Sequence, residues 1–502
     1  MVVAKRFGVL QPSGAFRRPG DVRERRRAGA LQNALACLLM ASPVMAQTPS
    51  DYYRIETYDL PAGVNFEASG LAVTDKGKLA VALRKGEVWI ESEKGFQLFA
   101  SGLHEILGLA FHEGALYATQ RAEVTKIRDT DGDGTADEYL TSANGWGVSG
   151  AYHEYAYGPV FDAAGNLFTS LNSSMGKPIV EGDTLWRGWV VRTSPDGKLE
   201  PWCAGFRSPC GIGTNFEGDI FISDQQGNWM PTTPIFHARK GAYFGHADSI
   251  PNAMRPDSPV KIQSKQPDGI TVAEAMKKVP GYCPPAVWLP YVKMGQSGTG
   301  IVCDRSDGKF GPFAKQLFVG EFVLSGVNRV FLEKVGGEYQ GACFPFVEGL
   351  QCAALALTTL PDGSLVVGES NRGWNSKGNR PFGLQKIVWT KKTPLDVEKL
   401  ELTETGFRFT FTLPVEKASL GEFTGQSYTY PFQSKYGGEE LDAKPLQITA
   451  TKLSDDGKTL EVTIANLREG YVHEFELPQL SAKDGTPLWH RMAYYTLNRL
   501  KR

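Results

Sequence analysis

YHEYAYGPVFDAAGNLFTSLN (Tyr152–Asn172) and RSPCGIGTNFEGDIFISDQ (Arg207–Gln225) are built on one plan. Each opens on a polar lead, runs into an apolar strand, turns at a glycine and enters a second strand. The second half recurs along the chain as GKLAVAL (77–83), GALYATQ (114–120), GNLFTSL (165–171), GDIFISD (218–224), KQLFVGE (315–321) and GSLVVGE (363–369). The starts fall 37, 51, 53, 97 and 48 residues apart. About 40–50 residues per four-stranded unit is the spacing of a β-propeller. The long gap requires an insertion, and the Pro- and Lys-rich stretch Ser249–Met294 is the candidate. The pattern predicts an all-β chain with a six-bladed propeller over residues 52–390.

Composition agrees with that class. The chain has 502 residues with 56 glycines and 30 prolines, which suits a turn-rich β protein. A net charge of −1 provides no electrostatic footprint for nucleic acid or an anionic membrane surface. After TKKTPLD (390–396) the pattern changes to GFRFTFTLPV, PLQITATKL, KTLEVTIANL and YVHEFELP. This alternation over residues 397–502 predicts a small C-terminal β-sandwich.

Residues 1–46 read as a signal peptide. Arginines precede an apolar run, Ala34 to Met45, too short to span a bilayer, and Val44-Met45-Ala46 resembles a cleavage site. No later segment reads as a membrane span. Export to the periplasm or the extracellular space is expected. It would leave six cysteines in an oxidising compartment, where disulfides are expected. Cys203–Cys210 and Cys343–Cys352 are the nearest pairs in sequence.

Hairpin geometry makes a further prediction. The start of each first strand and the end of each second strand emerge together. If the first strands line an axis, one rim gathers Arg84, His104, Glu105, Gln120, Arg121, His153, Glu154, Asn172, Arg207, Asp224, Gln225, Gln296, Glu321, Asn371 and Arg372. Two histidines, several arginines and several carboxylates on one rim are more than solubility requires and point to a functional site.

HEYAYGPVFDAAGNLF followed by FRSPCGIGTNFEGDIFISDQ resembles the soluble quinoprotein sugar dehydrogenases of the glucose/sorbosone dehydrogenase type. GLHEILGLAF, DTDGDGTADEY, GQSGTGIVCD, SNRGWNS and PLWHRMAYYTLN are similar, more closely, to the exported "membrane-bound dehydrogenase" propellers predicted in planctomycetes and their relatives. The resemblance implies a six-bladed propeller that binds pyrroloquinoline quinone (PQQ) and Ca²⁺ at the channel mouth. It implies that His153 is the catalytic base and that Arg207, the second catalytic candidate, grips the quinone. His104, Arg372 and Asp224, drawn from the rim, complete the candidate cofactor-binding set. The fifth and sixth repeats depart from the pattern, because LFVGEFVLSGVNRV and GLQCAALALTTLPDG lack its basic contacts. Arg372 and Lys293 are the candidate replacements. QQGNWMP after Asp224 is poor in the carboxylates expected of a quinone-side calcium loop.

The strongest local motif is Asp129-Thr-Asp131-Gly-Asp133-Gly-Thr135-Ala-Asp137. Carboxylates at alternate positions, a central glycine and the Thr135 carbonyl can wrap a hard cation. Leu140 stands where an EF-hand has its bidentate Glu, so a structural Ca²⁺ loop between the second and third blades is expected. Three functions are compatible with these readings. The first is an oxidoreductase acting on a sugar or polyol and passing electrons to a separate cytochrome or quinone. The second is a calcium-dependent sugar lactonase using His104, Glu105 and Glu154. The third is a non-catalytic glycan- or protein-binding propeller.

Overall fold

The six repeats become the second strands of six antiparallel four-stranded units. They are Leu79–Leu83, Ala115–Thr119, Leu167–Leu171, Ile220–Ser223, Leu317–Glu321 and Leu365–Ser370. The computed structural model describes residues 51–175 and 184–501, so the leader expected over residues 1–46 lies outside the described residues. Every residue of these six strands is buried. Each strand is covered on both faces by neighbouring sheets, which is why the repeats read as continuous apolar runs instead of alternating.

Six apolar cores separate successive sheets. Ala80, Leu109 and Leu116 share the core of the first and second sheets, and Phe318, Leu357 and Leu365 that of the fifth and sixth. Val81, Leu83 and Val366 pack the first sheet against the sixth, closing the ring. Backbone hydrogen bonds also close it: the N-terminal strand Tyr53–Thr57 pairs with Phe382–Trp389 as the outermost strand of the sixth sheet. The chain is therefore the all-β propeller its repeats predict.

The insertion lies inside the fourth sheet, between its third strand Thr233–His237 and its fourth, Val287–Leu289. It begins earlier than the expected Ser249 and ends before Met294. Both described α-helices, Ile250–Ala253 and Val272–Lys278, fall within it. The second starts at a capping box, with Thr271 Oγ1 accepting from the Glu274 N–H (3.1 Å) and Glu274 Oε2 accepting from the Thr271 N–H (3.0 Å).

The C-terminal strands form two sheets around one core that includes Phe407, Phe409, Val462, Phe475 and Tyr495. One of these sheets is a continuation of the fifth propeller sheet, because Met492–Leu497 pairs with Glu338–Glu348. Arg329 ties the junction. It is fully buried, donates to the Val397 carbonyl (2.7 Å) and Gln316 Oε1 (2.7 Å), and lies between the rings of Phe313 (3.9 Å) and Phe344 (4.2 Å).

The disulfide expectation is corrected. All six cysteines after the leader are free thiols. Cys203 is buried in the core between the third and fourth sheets, while Cys210 lines the channel. Cys343 Sγ faces the Trp288 carbonyl, and Cys352 Sγ faces Glu369 Oε2 (both 3.4 Å). Among the described residues no helix is long and apolar enough to cross a membrane.

Candidate functional site

The first strands of the sheets are mutual neighbours and enclose a channel. Gly70, Gly108, Gly158, Gly213, Gly300 and Ala356 line it. Small residues are required here: a Cβ at Gly108 would lie 1.8 Å from the Gly158 carbonyl oxygen. Beyond Leu107, Tyr157, Cys210 and Leu355 the channel opens into a mouth cavity of about 260 Å³.

Arg84, His153, Arg207 and Arg372 line this cavity, with the amides of Asn172, Gln225, Gln226 and Gln296 and the rings of Tyr152, Tyr155, Trp374 and Tyr436. No carboxylate lines it among the described residues. Three guanidinium groups on one wall, with Arg372 paired to Glu67 and Arg84 near Glu105 behind it, favour a ligand that carries negative charge.

His153 sits on a loop that is fixed from below. Buried Glu154 accepts from the Ser149 N–H (2.7 Å) and hydroxyl (2.6 Å). Buried Arg187 donates to the carbonyls of Gly147 (2.6 Å) and Tyr155 (2.9 Å). Asn172 Nδ2 donates to the His153 carbonyl (2.9 Å). The backbone is therefore held, while the exposed imidazole faces the cavity. Partial burial, then Arg207 and Arg121, hold its pKa below the usual histidine value. A neutral imidazole facing a cavity is suited to accept a proton.

Arg207 is positioned at both ends. Its backbone N–H donates to Asp224 Oδ2 (2.7 Å), and the Ser208 and Gln225 N–H groups donate to Oδ1 (2.6 and 2.7 Å). Its side chain passes over Gly227, where a Cβ would lie 1.8 Å from Nε. Nε donates to Asn228 Oδ1 (3.1 Å), and the guanidinium lies over the Tyr436 ring at 5.3 Å.

Asp224 is not a wall of the cavity. It is fully buried and uses its carboxylate on the loop that carries Arg207. The same device recurs at the ends of other second strands. Glu321 accepts from the N–H groups of Gln296 (2.8 Å) and Ser297 (2.7 Å), Glu369 from that of Cys352 (3.0 Å), and Gln120 Oε1 from that of His104 (2.5 Å). Backbone donors on loops packed against a channel need acceptors, and these side chains supply them. Burial pushes Asp224 up to about 6 and Glu369 up to about 8, outweighing the N–H groups that favour the ionised form.

The other rim residues divide. Arg372 lines the cavity and pairs with Glu67 (3.1 Å). Arg84 lines it too, donating to the Tyr155 hydroxyl (2.8 Å), with Glu105 at 3.5 Å. Glu105 is held in turn by Arg121. His104 is exposed and is not part of the cavity wall. Lys293 lies outside the wall, paired with Glu440 (2.8 Å) and Glu474 (2.6 Å). Tyr436 and Trp374 were not singled out by the repeat. Tyr436 arrives from the C-terminal region, where Gly437 N–H donates to the Gly227 carbonyl (2.9 Å) and Gly438 N–H to that of Pro231 (3.1 Å). The paired glycines after Tyr436 are its one sequence signal.

The acidic loop lies elsewhere than expected. It joins Val124–Arg128 to Glu138–Ala143, the third and outermost strands of the second sheet, and is not a link between sheets. It therefore sits at the opposite end of its strand from Arg121, which contacts the loop before His153. Oxygens of Asp129, Asp131 and Asp137 lie within 4.8 Å of one another. Asp133 instead accepts from the Thr135 N–H (2.7 Å), and Asp129 accepts from the N–H groups of Gly132 (2.7 Å) and Gly134 (2.9 Å).

A closed ring of small sheets around a channel makes the chain a β-propeller. The chain belongs to the family described as a domain of unknown function, DUF7133, whose profile matches residues 94–365, more than half of the sequence. No curated protein matches it. Among solved structures it is similar to the soluble aldose sugar dehydrogenase of Escherichia coli in its apo form (17% identity, 67% of this chain and 99% of that one, TM-score 0.47). It is similar also to the PQQ-bound aldose sugar dehydrogenase of Streptomyces coelicolor (15%, 68% and 100%, TM-score 0.47). The PQQ domain of pyranose dehydrogenase from Coprinopsis cinerea is a third (12%, 67% and 95%, TM-score 0.47). At identities this low the chemistry has to be argued from this chain's own side chains.

Proposed function

We propose that the protein is an exported oxidoreductase of the sugar dehydrogenase kind, acting at the mouth cavity and using PQQ. The observation that carries this reading is a cavity with three arginines, no carboxylate and a neutral histidine on its wall. PQQ is a flat, tricarboxylate quinone, and this donor set fits it. Among the described residues no acid pairs with the Arg207 guanidinium, which is placed to grip a carboxylate or quinone oxygen. Arg84 and Arg372 add charge from the first and sixth sheets.

When bound, PQQ supplies an electrophilic carbonyl that accepts hydride from the carbon bearing the substrate hydroxyl. His153 takes that hydroxyl's proton at a ring nitrogen. The amides of Gln225 and Gln296 offer donors and acceptors to the remaining hydroxyls of a sugar or polyol. The electrons leave to a separate cytochrome or quinone. No carboxylate among the described residues lines the cavity, and the Ca²⁺ expected for this chain is assigned to Asp129, Asp131 and Asp137 as a structural ion.

The lactonase alternative loses its machinery: Glu154 is buried on Ser149, Glu105 is paired with Arg84 and Arg121, and His104 is off the wall. The test is to add PQQ to the purified protein, with and without Ca²⁺, and to follow quinone absorbance and the reduction of an artificial dye by aldoses and polyols. Quinone binding with sugar-dependent dye reduction is expected. Lactone hydrolysis without quinone binding would assign the site to a hydrolase, and neither activity would leave a binding propeller.

A further inference from the structure

Among the described residues the three most exposed aromatic rings are Tyr436 (69%), Trp374 (67%) and Tyr152 (59%), and the next is Tyr139 at 42%. All three line the mouth cavity. Leaving such a side chain in water forgoes the stabilisation that its burial would give. Three left in water at one rim therefore mark a contact surface and not scattered exposure.

They come from three separate places: the lead into the third sheet, the connection within the sixth, and the C-terminal region. Tyr152 reaches across the mouth, its hydroxyl 3.9 Å from where a Cβ on Gly373 would stand, so the opening is narrow on that side. The cavity, at about 260 Å³, is at the small end of ligand sites, which run from roughly 300 to 1,000 Å³. It has room for one flat ligand, and anything larger than the reacting unit has to rest outside on the rings.

The chemistry of the rim narrows the class. The electron-rich faces of aromatic rings attract polarised C–H groups, and the neighbouring Gln225 and Gln296 amides and Arg372 hydrogen-bond hydroxyls. A pyranose presents C–H groups on its faces and hydroxyls at its edge. A polyanionic nucleic acid strand would need a basic groove along its path, and among the described residues the mouth carries no Arg or Lys beyond the three arginines of the cavity.

We propose that Tyr152, Trp374 and Tyr436 form a stacking rim for pyranose units outside the cavity, so that the substrate is a short saccharide chain whose terminal unit reaches His153. This rests on the oxidoreductase reading for the identity of the reacting unit, while the binding itself does not require it.

The experiment measures binding by calorimetry to the purified, PQQ-free full chain. The ligands are α-1,4- and β-1,4-linked glucose series of one to five units, and oxidation is assayed separately with PQQ. For at least one series, affinity is expected to rise tenfold or more from one to three units. Trp374→Ala, at an exposed position that the fold does not need, is expected to return the trimer to the monosaccharide's affinity. Affinity that is flat in both series, or a Trp374-dependent preference for a single-stranded oligonucleotide, overturns the inference. Oxidation of monosaccharides without any chain-length dependence overturns it while leaving the oxidoreductase standing. Chain-length-dependent binding with no oxidation supports the rim and overturns the oxidoreductase reading.

Discussion

The guanidinium of Arg207 lies 5.3 Å from the centre of the Tyr436 ring, and the backbone of Tyr436 pairs with Asn228, the residue that receives Arg207 Nε. One short C-terminal segment thus supplies the ring and braces the lateral partner of the main cation in the cavity. The propeller ring alone does not complete the site.

Tyr436→Ala should weaken PQQ retention by roughly 2- to 30-fold, the equivalent of one cation–π contact of about 0.5–2 kcal/mol. Tyr436→Phe keeps the ring and should bind as the unaltered protein does. Calorimetric titration of PQQ compares the three proteins, and equal affinities in all of them would detach Tyr436 from the site.

The pH dependence of turnover should show an acid limb below the ordinary histidine value of about 6.5. The base acts when neutral, and burial with Arg207 and Arg121 holds its pKa down, so activity is lost only as pH falls through that lowered value. Arg207→Gln removes one of these charges and should move the limb upward when assayed at saturating PQQ. A limb that stays in place would mean that another group is titrating.

Much of this was legible in the sequence. The second strands are buried on both faces, so their apolar runs and terminal glycines recur with little noise, and the ring of sheets follows. His153, Arg207 and Arg372 were found because hairpin geometry places strand ends together. The same reasoning put Asp224 and Glu154 on the rim, since spacing reports which end of a strand a residue occupies and not which way its side chain turns. Both turn inward to satisfy backbone donors. Tyr436 was hidden for a different reason: the segment carrying it is far from the repeat in sequence and reaches the mouth through backbone pairing. The acidic loop was placed between sheets because the outer hairpin of the second unit has no repeat signature of its own.

The inward carboxylates should be visible in stability. Asp224 is held at about 6 and Glu369 at about 8, above unfolded values of about 3.9 and 4.3. The folded state therefore binds extra protons, and their contribution is complete below about pH 4 and is lost as pH rises through the folded values. Glu369→Gln should flatten the decline in melting temperature between about pH 6 and 8, where Asp224 has already titrated. An unchanged profile would show that Glu369 is ionised in the fold at neutral pH.

Chelation should lower the melting temperature of the unaltered protein and leave Asp131→Ala unaffected. An ion that binds only the folded state stabilises by mass action, about 2.7 kcal/mol at a hundredfold excess over Kd. Because the loop is at the far end of its strand from the mouth, PQQ affinity should not change in Asp131→Ala. Melting that is indifferent to chelator would leave Asp129, Asp131 and Asp137 as a turn held by its own N–H groups.

The central claim assigns proton transfer to His153 and cofactor grip to Arg207. The most direct test measures turnover and PQQ affinity side by side in His153→Ala and Arg207→Ala. The account predicts that His153→Ala loses about 10²–10⁴-fold in turnover while binding PQQ normally, and that Arg207→Ala loses PQQ affinity. Turnover surviving in His153→Ala with PQQ bound, or unchanged PQQ affinity in Arg207→Ala, would contradict it.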